Sequence, residues 1–196
     1  MGAGQEDGEV TVRAVAEAAV LVLVTAVLYG LGYEFQGWLF LFSEHVPGVS
    51  WFYLPAGLRV LFVLVAGIYG ALGVFCASLV INVLYMKDIG GTVLLLTAAA
   101  SGFGAWVALW VLRLGGVIEA GLSGLTAAAL MKFALLYSGL NALFHQLVWW
   151  FFKREGVLFW VDVWPMFVGD LLGALVFLYG LKGLLQLRKT RRAGIF

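Results

Sequence analysis

Charge is what this sequence has least of. Lys and Arg number 12 and Asp and Glu 11 among 196 residues, so 12% of the chain is charged, where a soluble domain carries about 25%. So low a fraction excludes an ordinary soluble enzyme. The charges nearly cancel, at a formal +1, and no basic excess points to nucleic acid. The single cysteine, Cys76, excludes an internal disulfide; set in an apolar run, it is expected to be a small buried hydrophobe. The two histidines, His45 and His145, lie too far apart in sequence to suggest a metal site. P-loop, HExxH, CxxC and GxSxG motifs are all missing, which removes the common phosphate-cradling, zinc-protease, dithiol and hydrolase signatures. No catalytic residue, metal or cofactor is expected, and the protein is not read as an enzyme.

Apolar side chains fill the space left by charge: 63% of the residues are hydrophobic and the mean hydropathy is +1.02. The fold class expected is all-α, a polytopic integral membrane protein of about six transmembrane helices. Three parts are expected: residues 1–11 as a polar, acidic N-terminus, 12–187 as one transmembrane helical domain, and 188–196 as a basic tail. The acidic opening, MGAGQEDGEVT, is unlike the basic start of a signal peptide, so the first run, Val12 to Gly32, is read as an uncleaved span.

Tyr33 to Leu54 mixes aromatics with Glu34, Glu44 and Pro47 and is expected at the headgroup level. Pro55 to Met86, with Gly67, Gly70 and Gly73, is expected to form two helices joined by a tight turn near Ile68 to Gly70. The fourth span is expected to end near Arg113, the fifth to run from Leu125 to Phe152, and the sixth from Trp164 to Leu187 with Pro165 in its first turn. Arg188, Lys189, Arg191 and Arg192 follow the last span, whereas the loop before Pro55 has no basic residue. The positive-inside rule then places both termini in the cytoplasm, with Lys153 and Arg154 outside.

Charges within spans are expensive and need a reason. Arg59 follows Pro55 by four residues and Asp170 follows Pro165 by five, which sets both at similar shallow depth on the outer side. Two readings fit: an outward-facing pocket in which Arg59 holds an anionic group and Asp170 orients it, or a buried ion pair with a snorkelling arginine. Tyr137, Asn141, His145 and Trp149 recur at four-residue spacing and form one helix stripe. They are read either as a second wall of that pocket or as interhelical hydrogen-bonding glue. Trp164 joins the candidate ligand-binding set, as part of either a stacking wall or an interfacial aromatic belt with Trp150, Phe151, Phe152 and Trp160. Lys132 is expected to snorkel, with Glu119 as a possible partner, and Asn82 is open between the same alternatives. Gly169 and Gly173, in GDLLG, are read as a small-residue packing pair.

Two segments carry a resemblance. WFYLPAGLRVLFVLVAGIYGALGVFCASLV (Trp51 to Val80) and VWPMFVGDLLGALVFLYGL (Val163 to Leu181) resemble the opening and closing helices of the membrane-associated sensor (MASE) domains, first type, and TAAASGFGAWVALWVLRLGG resembles the small-residue helix between them. The family is found in bacteria ahead of histidine kinases and diguanylate cyclases. The resemblance implies a non-enzymatic sensor in the bacterial cytoplasmic (inner) membrane, with Pro55, Gly57, Gly169 and Gly173 as structural positions and Asp170 as a buried acid. The family's domains usually have more spans and precede an output domain, so a stand-alone module signalling to a separate partner protein is implied. A second resemblance, through the length and the PAGLR start of the second helix, is to the substrate-binding S-components of energy-coupling-factor vitamin transporters, in which Ala14 and Ala18 would stand on the docking helix. A structural subunit of a larger membrane complex is the third reading. The expected partners are the lipid bilayer, a membrane or signalling protein, and a small-molecule ligand.

Overall fold

The computed structural model describes residues 3–86, 89–119 and 125–193, with side chains described from residue 11 to 180 within those ranges and at 182 and 183. The side chains of the basic tail, Arg188, Lys189, Arg191 and Arg192, and the connections at Lys87 and at 120–124 lie outside the described residues. The described chain is helical: α1 (Ala3–Leu39), α2 (Leu54–Tyr85), α3 (Gly91–Leu114), α4 (Ala127–Phe151) and α5 (Phe159–Ala193). Between α1 and α2 a short 3-10 turn, Leu41–Ser43, leads into a small antiparallel pair, β1 (Glu44–Val46) and β2 (Val49–Ser50). Gly48 makes the turn between the strands at φ +87°, a conformation costly for any residue with a Cβ.

Among the described residues, five helices are long and apolar enough to cross a membrane, not six. The difference falls in α2, where two separate spans were expected. Gly67, at φ 56° and ψ −127°, breaks the helix, and the chain reverses there. Both ends of α2 dock on one turn of α1: Leu54 N–H donates to Gln36 Oε1 at 3.0 Å and the Tyr85 hydroxyl to Glu34 Oε1 at 2.6 Å. A straight helix of that length would carry its ends about 45 Å apart. Just past the break, a Cβ on Gly70 would strike the carbonyl of Phe62. The first arm, 54–66, rises only about 20 Å and the second, 68–85, about 26 Å, so neither matches a hydrocarbon core of about 30 Å alone. The expected pair of spans is one helical hairpin, and its turn lies at Gly67, just before the predicted position.

Other boundaries also move. α1 continues to Leu39, through residues expected at the headgroups, and α5 begins at Phe159, which puts Pro165 inside the helix and not at its start. Cys76 is exposed on the outer surface of the bundle, not buried. Lys132 is exposed as expected of a snorkelling lysine, and among the described residues no ion pair joins it to Glu119.

The helices pack in sequence, α1 on α2, α2 on α3, α3 on α4 and α4 on α5, and α5 returns to α2. That closure depends on missing side chains. A Cβ on Gly57 would meet Phe177 and the Gly173 carbonyl; one on Gly169 would meet the Ser50 carbonyl, and one on Gly173 the Tyr53 carbonyl. Backbone thus touches backbone, and Tyr53 N–H donates to the Gly169 carbonyl at 3.2 Å. The structural reading of Pro55, Gly57, Gly169 and Gly173 fits this placement, with Pro55 in the first turn of α2 where it forfeits no helical hydrogen bond.

Candidate functional site

Residues 44–53 run down alongside α5 before α2 starts, so α2 begins inside the bundle. Gln36 holds this start from both sides: Nε2 donates to the Phe52 carbonyl at 2.8 Å while Oε1 accepts from Leu54 N–H. Ser43 adds a bond to the same Phe52 carbonyl at 3.1 Å. Higher up, His45 Nε2 lies 3.1 Å from Asp162 Oδ1, and Arg154 donates to the Pro47 carbonyl at 3.0 Å. Arg154 also lies 4.3 Å over the Trp149 ring; burial draws its guanidinium below the ordinary range, with Asp162 opposing.

This deep start carries Arg59 to mid-bundle, not to the shallow level expected. It is 4% exposed. Its Nε donates to the Tyr29 hydroxyl at 2.8 Å, and its two terminal nitrogens reach the hydroxyls of Tyr137 and Tyr53 at 3.4 Å each. The guanidinium also lies 5.5 Å and 5.2 Å from the ring centres of Tyr29 and Tyr53. Among the described residues no carboxylate comes within 4.0 Å of it. Asp170, 2% exposed and about 16 Å along α5 from its start, instead accepts from Asn141 Nδ2. Arg59 and Asp170 therefore form no direct ion pair, and three tyrosines surround the cation in place of an acid.

Arg59 closes the floor of a cavity of about 250 Å³ that opens at the loop end of the bundle. Ser78 and Trp149 line it with buried polar atoms, Oγ and Nε1, that have no partner among the described residues. His145 lines it too. Its Nδ1 lies 3.0 Å from the Asn141 carbonyl, which only accepts, so Nδ1 carries the proton and Nε2 accepts from Ser101 Oγ at 3.3 Å. Asn82 reaches the Leu94 carbonyl and Thr97 Oγ1, both at 2.9 Å, and holds α2 against α3 along the same wall.

The expected site set divides. Arg59, His145 and Trp149 line the cavity; Tyr137 supports Arg59 from behind, and Asn141 ties Asp170 into the packed layer. Trp164 does not belong with them: it is 62% exposed, and Trp150, Phe151 and Trp160 are exposed as well. The sequence reading missed Tyr29, Tyr33, Gln36 and Tyr53. The first three recur at four- and three-residue spacing in α1, the same stripe signal that exposed Tyr137 to Trp149. Tyr53 carried no such signal, since its position depends on the dip of 44–53.

No protein-family model, curated protein or solved structure matches this chain. The resemblances to the sensor domains and to the transporter S-components rest on the quoted segments alone.

Proposed function

We propose that this is a non-enzymatic integral membrane protein that binds a small anionic solute in the cavity above Arg59 and reports its occupancy to a separate partner. The carrying observation is Arg59 itself. A buried guanidinium that has no carboxylate in direct contact, nearby Asp170 being bound to Asn141, and that faces a cavity with further unpaired polar atoms, leaves room for an anion beside it. In this reading both termini are in the cytoplasm: α1, α3, α4 and α5 cross the membrane, and α2 enters and leaves on the outer side as a hairpin. The bacterial inner membrane is its place by the sensor resemblance. A solute on Arg59 would draw α2 toward α4 and α5 and so alter what the cytoplasmic face presents.

A second reading is a transporter's substrate-binding subunit. In its favour, only 11% of the most apolar window of α1 is buried, against 39% to 50% in the other spans, and Ala14 is exposed, so α1 offers a face to a coupling subunit.

The test is gentle purification from native membranes, with mass spectrometry of copurifying proteins and extracted small molecules, for the wild type and Arg59→Gln. A small anion retained by the wild type and lost from Arg59→Gln supports solute binding. A kinase or cyclase beside it marks a sensor; a coupling subunit with ATPases marks transport. A stoichiometric protein partner with no small molecule in either preparation favours the structural-subunit reading and defeats this one.

A further inference from the structure

The cavity has two chemically different ends. Its floor is made of donors: the Arg59 guanidinium and the hydroxyls of Tyr29 and Tyr53 that surround it. Its mouth carries two exposed carboxylates, Glu34 and Glu44. Glu34 accepts from the Tyr85 hydroxyl at 2.6 Å and Glu44 from Gly48 N–H at 3.1 Å, each through Oε1. These bonds fix the carboxylates in place, and Oε2 of each has no protein partner among the described residues. Lys153 and Arg154 share an adjoining groove with Glu44, but Arg154 is already held by the Pro47 carbonyl and the Trp149 ring. Neither basic residue lines the cavity itself.

Between floor and mouth the walls are aromatic. Tyr33 and Tyr85, both lining the cavity, stand with ring centres 5.7 Å apart. Along α1, Tyr29 at the floor and Glu34 at the mouth are separated by about 7.5 Å of helix rise. A simple anion would satisfy Arg59 and leave the carboxylates and ring faces unused; a simple cation would be repelled at the floor.

We infer that the ligand is a small zwitterion, its anionic group on Arg59 and its ammonium group between Glu34, Glu44 and the rings of Tyr33 and Tyr85. This rests on the solute-binding reading and adds the second charge. Carboxylates with flanking aromatic faces are a favourable setting for an ammonium, above all a weakly hydrated methylated one. The separation suits two charges a few bonds apart.

The test is isothermal titration of the protein in nanodiscs with three probes on one four-carbon chain: γ-butyrobetaine, with both charges; butyrate, with the anion alone; and butyltrimethylammonium, with the cation alone. γ-Butyrobetaine is expected to bind at least roughly tenfold more tightly than either single-charge probe. The double variant Glu34→Gln, Glu44→Gln changes only exposed side chains, and it should erase that advantage while leaving butyrate affinity unchanged. Butyrate matching γ-butyrobetaine, or an advantage that survives the double variant, overturns the zwitterion and leaves anion binding standing. No binding of any probe, with no small anion retained by the native preparation, overturns both.

Discussion

The two halves of the bundle are built from the same helices by opposite rules. Toward the loop end α3 supplies Thr97 and Ser101 and α4 supplies His145 and Trp149, all facing a cavity. Toward the other end the same helices supply Ala105, Ala108, Leu109, Leu130, Phe133 and Ala134, which close into an apolar core with Val60 and Val63 of α2. The layer of Arg59, Tyr137, Asn141 and Asp170 divides them. In lipid, burial of apolar surface between helices gains little over contact with acyl chains, so the dry half is held by close packing and small residues. The wet half tolerates unpaired polar atoms because the dry half and the glycine contacts hold its walls apart.

The two halves are expected to respond differently to substitution. The largest effect is expected from Phe133→Ala in the dry core, where a fully buried ring leaves a hole: a loss of about 3–5 kcal/mol, measured by reversible denaturation in mild detergent. Butyrate affinity of the protein that remains folded should stay within about twofold. A large loss of affinity there would break the comparison by showing that the halves are one unit.

Next is Gly169→Leu, which drives a side chain into the Ser50 carbonyl. Overpacking backbone against backbone should cost about 3 kcal/mol or more and reduce monodisperse protein on size-exclusion chromatography. Unlike Phe133→Ala, it should also lower solute affinity in the surviving fraction, because residues 50–53 position the start of α2.

The smallest effect on stability, and the sharpest on function, is expected from Arg59→Met. Replacing the buried cation by an apolar side chain of similar volume takes the donor from three tyrosine hydroxyls and should lower ligand-free stability by only about 1–3 kcal/mol, while anion binding falls roughly a hundredfold. A larger loss of ligand-free stability would mean that Arg59 holds the fold together through its tyrosines, and would assign the polar layer to packing.

Much of the fold was legible because hydropathy over some twenty residues is a local property. The runs that became α3 and α4 were located to within a few residues, and Gly-rich 67–73 announced a reversal in α2. Pro165 misled, since proline fits a first turn but is also tolerated inside a helix whose neighbours are tightly packed. Cys76 misled because an apolar run in a membrane protein has an outward face as apolar as its core. Of the site, four-residue spacing picked out His145 and Trp149, and the cost of charge in a span picked out Arg59 and Asp170. Their pairing could not be read, because their relative depth depends on where α2 starts.

The sequence by itself determined that the chain is helical, apolar enough for a membrane, and obliged to explain Arg59 and Asp170, since composition, periodicity and desolvation cost belong to each segment alone. Only the tertiary structure decided that three tyrosines and no acid surround Arg59, that Asn141 takes Asp170 away from it, and that the cavity ends in a cation on one side and two carboxylates on the other. Those outcomes depend on the bend at Gly67 and the descent of residues 44–53 against Gly169 and Gly173, contacts between segments more than a hundred residues apart that no local pattern encodes.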